Sequence, residues 1–241
     1  FLPGCRNFPG CYTRFIMDFI EQTRKDRLEK ITKLQEKGIN PYALTSTRTH
    51  TIAEFLDSFD SLGDKKVVLN GRVFSLRPQG GVTFLDIDDG TGRVQVYFKQ
   101  DESDPKHGYD FFQEVVDRGD FIEVEGVAFT TKRGQQSIFL HEWTVLTKSL
   151  RPLPDEWYGI KDDDTRFRNR DLDLLLRENA RDLFVKKAKF WDSIRSFLKE
   201  RKFLEVETPT LELTTGGAEA SPFQTHHNDF DLDVFLRISV G

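Results

Sequence analysis

Cysteine is almost missing from this chain: Cys5 and Cys11 are the only two in 241 residues. Methionine is scarcer still, with Met17 alone. The text before Met17, FLPGCRNFPGCYTRFI, mixes apolar residues with Gly and Pro and shows no helical period. It also lacks the charged start and small-residue cleavage site of a signal peptide. A charged amphipathic pattern begins abruptly after it. We therefore expect Met17 to be the native start and residues 1–16 a non-native or disordered leader. The competing reading is an ordinary N-terminal tail. From Met17 onward there is no cysteine, which excludes a disulfide framework and a cysteine-ligated zinc and suits the cytoplasm. No apolar run approaches the roughly 20 residues needed to cross a bilayer. A basic surplus is missing too. The net charge is −5 and the pI about 5.6, which argues against a general nucleic-acid binder. It leaves room for a protein that reads a few nucleotides and releases them.

What is present is the balance of a folded globular chain: 37% hydrophobic and 31% charged residues. Residues 18–37 carry Leu28, Ile31 and Leu34 on one stripe, with Gly38 as a stop, and predict a helix. A second short helix is expected from His50 to Phe59. At Lys65 the period changes to two. Strands are expected at 65–77, 82–88, 93–99, 121–129 and 136–146, separated by glycine-bearing turns. A helix from Tyr109 to Val116 falls between the third and fourth strands. Five strands with a helix in that place is the order of an OB-fold β-barrel. Residues 149–178 are rich in charge and proline and read as an interdomain linker. Residues 180–201 form an amphipathic helix with Phe184, Ala188, Trp191, Ile194 and Leu198 on its apolar face, widened by Leu183, Phe190 and Phe197. Strands are expected from Phe203 to Glu207, ended by Pro209, and over 232–238. The fold class is therefore α+β. Its parts are a helical segment (17–62), a barrel (63–148), the linker, and the opening of a further domain (179–241).

Strand parity singles out one face of the barrel. Thr83, Leu85 and Ile87 point inward, so Phe84 faces out beside Asp86 and Asp88. On the next strand Val94, Val96 and Phe98 take the core and Arg93, Gln95 and Tyr97 the outer face. An outward aromatic beside an amide suits an unstacked base. The ring stacks it, for about 1–3 kcal/mol, and the amide reads its edge. Arg77 ends the first strand with inward parity, so only a bulge or a strand end would turn it out. The plainer alternative is Phe84 under a loop and Gln95 as mere surface, and pattern alone leaves both open. His226 and His227 are neighbours with no cysteine or acid at ligand spacing, so no metal site is expected in the chain.

Three stretches carry a family resemblance. LRPLPDEWYGIKDDDTRFRNRDLDLL resembles the linker of bacterial class II lysyl-tRNA synthetases, FLEVETP resembles their motif 1, and GGAEASPFQTHHNDFDLDVFLRIS resembles the segment after it. Aspartyl and asparaginyl relatives share the barrel, linker style and motif 1, but not THHN. The resemblance runs colinearly over about residues 25–240. It implies the N-terminal part of an enzyme that activates lysine with ATP and Mg2+ and charges tRNA(Lys) as a homodimer. It places anticodon reading on Arg77, Phe84 and Gln95, with the central uridine as target. It places the pocket for the lysine amino group at Gly217. The dimer interface falls on motif 1, including Phe203, Glu205, Glu207 and Pro209. The opening of an antiparallel-sheet catalytic domain is implied, with motifs 2 and 3 and the metal ligands beyond Gly241, so the chain by itself is expected to be inactive. The alternatives are a non-catalytic OB-fold tRNA-binding paralogue and an aspartyl or asparaginyl-tRNA synthetase. The chain departs from the family at Asp171, where tyrosine is usual, at Gly81 for a basic residue, at Ser221 for arginine, and after Ile238, where Ala-Pro is more usual than Ser239-Val240.

Overall fold

The computed structural model describes residues 9–100, 106–153, 162–177, 180–217 and 219–239, with the backbone alone for 9–17. Two compact units emerge, Phe1–Asp155 and Glu156–Gly241.

The first unit opens with helix α1, Pro9–Glu36. It begins eight residues before Met17, so the absence of helical period in that stretch did not keep its later half from turning helical. The expected second helix is two pieces, α2 (Ile52–Asp57) and α3 (Phe59–Leu62), separated by Ser58. Thr51 starts α2 with a capping box: its side chain accepts from the Glu54 N–H, and the Glu54 carboxylate accepts from the Thr51 N–H at 2.7 Å.

The barrel strands are β1 (Val67–Gln79), β2 (Val82–Asp88), β3 (Arg93–Lys99), β4 (Phe121–Thr130) and β5 (Gln136–Thr147). They close in the order β1-β2-β3-β5-β4, with β1 antiparallel to β4 and β3 parallel to β5. Leu69, Leu85, Ile87, Val96, Phe98, Ile122, Val124, Ile138 and Leu140 are all buried in the core, as one inward face per strand requires. Helix α4 (Tyr109–Val115) packs Phe112 edge-on against Phe98 at 5.1 Å. Tyr109 shares a hydrogen bond of 2.8 Å with the buried Thr83 hydroxyl. Gly126 sits where β4 shifts register against β5; a Cβ there would lie 2.0 Å from the Phe139 carbonyl oxygen. Only glycine allows that approach.

A buried charge cluster holds the base of this unit. The fully buried Lys148 ammonium donates to Asp117 at 2.5 Å, to Asp120 at 2.6 Å and to the Val115 carbonyl at 2.6 Å. Arg27 of α1 donates to the carbonyls of Arg118, Ser149 and Arg151.

The second unit departs from the sequence reading in three places. The supposed linker contains two short helices, α5 (Asp163–Arg168) and α6 (Arg170–Leu176); its residues 154–161 and 178 lie outside the described set. Asp162 caps α5 by accepting from the Thr165 N–H at 2.7 Å, and the buried Asp173 gathers Arg166, Arg170 and Arg177. Residues 203–207 form no strand. A strand needs a hydrogen-bonded neighbour, and among the described residues this stretch pairs with none. Finally, β6 (Leu211–Glu212) and β7 (Gln224–His227) flank the expected last strand β8 (Leu232–Leu236) in a small antiparallel sheet. The amphipathic helix is α7, Ala180–Glu200.

Candidate nucleic-acid interface

One groove of 640 Å³ lies on the outer face of the barrel, and Arg77, Phe84 and Gln95 all line it. Each arrives by a different route. Phe84 follows plain alternation on β2, between buried Thr83 and Leu85. Arg77 needed an irregularity: β1 shifts register against β2 between Val73 and Ser75, and Phe74 is buried in the extra position. The bulge reverses the parity beyond it, so Arg77 pairs across from Phe84 on the outer side. Its guanidinium lies 3.1 Å from Asp86, which also accepts from the Ser75 hydroxyl.

Gln95 corrects the expectation of an open surface amide. It sits on the outer face, directly across from Asp86, yet only 8% of it is exposed. The parallel β3–β5 pair brings Ser137 alongside, and the Ser137 hydroxyl donates to Gln95 Oε1 at 3.3 Å. Barrel closure therefore builds a wall over a residue that strand parity alone leaves open.

The groove also holds Tyr97, which the alternation already turned outward, and Phe129, which the sequence reading did not name. Tyr97 meets Phe84 edge-on at 5.3 Å and stacks on Phe129 at 5.1 Å, and Phe139 lies 5.6 Å from Tyr97. These rings run across β2, β3, β4 and β5 as one aromatic strip. The β4–β5 turn adds Lys132, Arg133 and Gln135 to the rim. That turn stood out in the sequence only as a Lys-Arg-Gly break; its basic pair was the signal for a charged lip. A stacking floor, a buried amide and a cationic rim together form a surface able to hold a base and its phosphate.

The remaining site residues fall in the second unit. Gly217 has φ +89°, a left-handed conformation that favours glycine. Phe203 and Glu207 are exposed, and Glu205 bonds to Arg195 at 2.9 Å. That guanidinium holds the Glu205 carboxyl below its ordinary value. Arg237 donates to the carbonyls of Thr208 and Pro209 at 2.8 and 3.3 Å, which ties the extended segment to the end of β8. His226 Nδ1 lies 3.0 Å from Asp233 across the β7–β8 pair. Among the described residues no group of three or more His, Cys, Asp or Glu is placed to hold a metal ion, and no helix is long and apolar enough to cross a membrane.

Two family descriptions match the chain: OB-fold nucleic acid binding domain over residues 67–146, and tRNA synthetases class II (D, K and N) over residues 162–240. Each description covers about a third of the chain, the first falling on the barrel strands and the second on the second unit. The chain's curated relatives are lysine–tRNA ligases. That of Moorella thermoacetica is 44% identical over 214 residues, 89% of this chain and 43% of the relative. Those of Carboxydothermus hydrogenoformans and Thermotoga maritima are 42% and 41% identical, over 89% and 91% of this chain and 44% and 45% of the relatives. The chain thus spans less than half the length of the relatives it matches.

Proposed function

We propose that this chain supplies the anticodon-reading barrel and the motif 1 region of a lysine–tRNA ligase. The whole protein would activate lysine with ATP to lysyl-adenylate and pass the lysyl group to tRNA(Lys). The observation that carries this reading is the convergence of Arg77, Phe84 and Gln95 on one groove. The central anticodon uridine stacks on Phe84, Gln95 reads its edge, and Arg77 with Lys132 and Arg133 meets the phosphates. A chain of net charge −5 then binds RNA through a local cationic rim rather than an overall surplus, which favours release after reading.

In the same reading Gly217 lets backbone approach the amino group of substrate lysine without a Cβ in the way. The dimer forms through motif 1. Its support is apolar surface left open on the second unit, with Phe190, Trp191, Phe203 and Leu204 all 48% exposed or more. ATP and Mg2+ serve the whole enzyme. The described residues offer no metal cluster, and the reading assigns magnesium to none of them. A translation enzyme of this kind works in the cytoplasm. The lysine ligases among the relatives favour this substrate over the aspartyl or asparaginyl alternative, and the match over 162–240 disfavours a barrel-only paralogue.

The test is Phe84→Ala with a lysine-anticodon stem-loop. Loss of one base stack should weaken binding by roughly 5- to 150-fold, the equivalent of about 1–3 kcal/mol. Unchanged affinity would remove Phe84 from recognition.

A further inference from the structure

We propose that Ser137 is a positioning residue that sets base specificity by fixing which end of the Gln95 amide faces the groove. The inference rests on the anticodon reading above and adds to it a residue that touches no base. Ser137 is fully buried and directly opposite Gln95 on the parallel β3–β5 pair, the seam that closes the barrel. Its hydroxyl lies 3.3 Å from Gln95 Oε1 and 3.3 Å from the Gln135 carbonyl oxygen. A hydroxyl carries one proton, so Ser137 meets the Gln95 oxygen only as a donor and shares that proton with the Gln135 carbonyl. An amide held by its oxygen turns its Nε2 away from Ser137, and Gln95 is among the residues that line the groove.

The consequence follows from base chemistry. The keto oxygen at position 4 of uracil accepts a hydrogen bond, whereas cytosine carries an amine there. A fixed Nε2 donor matches the first and opposes the second as donor against donor. An untethered glutamine behaves differently. Its two amide ends are nearly the same shape, so it can turn over and offer oxygen to the cytosine amine. Ser137 thus acts against the wrong base more than for the right one.

The experiment uses the 241-residue chain and lysine-anticodon stem-loops carrying uridine, cytidine or 4-thiouridine at the central position. Ser137→Ala should reduce the uridine-over-cytidine preference about tenfold, the scale of one hydrogen bond, chiefly through tighter binding of the cytidine loop. 4-Thiouridine, whose sulfur accepts poorly, should bind the parent chain more weakly than uridine, and Ser137→Ala should narrow that gap. Ser137→Thr keeps the hydroxyl and should keep the preference. An unchanged preference in Ser137→Ala, or equal weakening of both loops, overturns the proposal. If Ser137→Ala does not fold by circular dichroism, Ser137→Thr and Ser137→Cys decide: preference kept by the hydroxyl and lost with the weakly donating thiol supports it, and any other result overturns it. Gln95→Leu separates the two levels. If that variant still prefers uridine, the anticodon reading itself fails. If it loses the preference while Ser137→Ala keeps it, only this inference falls.

Discussion

Replacing Lys148 with methionine should destabilise the barrel unit by about 3 kcal/mol at neutral pH, and the loss should shrink on acidification. Methionine keeps the buried stem and removes the charge. Asp117 is cushioned against this, because its side chain is 22% exposed and Lys30 remains 2.7 Å away. Asp120 has no such help. Its side chain is fully buried, and it would keep only two backbone donors, the N–H groups of Asp117 at 2.7 Å and Ser149 at 2.9 Å. Deleting one partner of a buried ion pair costs about 3–5 kcal/mol, and the two surviving donors place this case at the lower end. For a unit of this size the melting temperature should fall by about 6–12 °C.

The pH dependence follows from two opposed carboxyl groups. Burial pushes Asp120 above its ordinary value against the pull of Lys148, so losing Lys148 pushes it higher still. A carboxyl raised in the folded state destabilises the fold while ionised and stops doing so as pH falls toward the unfolded value, about 4. Burial also raises Asp117, but Lys148 and Lys30 outweigh it and hold that carboxyl below its ordinary value. The stability this gives the parent chain is present above about pH 4 and is lost as pH falls through the folded pKa. Both effects make the gap between parent and variant widest at neutral pH and narrowest in acid. Urea unfolding followed by far-UV circular dichroism at pH 7 and near pH 4 measures it. A gap below about 1 kcal/mol at pH 7 would refute the reasoning, since an uncompensated buried charge cannot be that cheap. So would a gap that widens in acid.

Two further outcomes are expected. Gly126→Ala forces a Cβ to within 2.0 Å of the Phe139 carbonyl oxygen and should destabilise the barrel by more than about 2 kcal/mol; a melting temperature within a degree or two of the parent chain would mean that the bulge yields. Gly217→Val strains a left-handed backbone, and on the proposal that this glycine lines the lysine pocket of the full-length enzyme it should raise the KM for lysine at least tenfold; normal lysine-dependent pyrophosphate exchange would refute that placement.

Local pattern determined much of this protein without help from coordinates. The period-two runs found all five barrel strands to within about two residues at each end, because each strand buries one face and must alternate. The same alternation turned Phe84 outward, and the three-and-four spacing of Phe184, Ala188 and Trp191 marked α7. Tertiary structure decided what depends on a neighbour. The bulge at Phe74 belongs to the pairing of β1 with β2, and it alone carries Arg77 to the groove. Burial of Gln95 comes from barrel closure, which sets β5 beside β3 although 36 residues separate Lys99 from Gln136. Residues 203–207 have strand-forming letters and no strand, because a β-ladder is a property of two segments and this one has no partner among the described residues. The sequence thus specified which side chains a strand presents, and contacts between distant strands specified which of them meet.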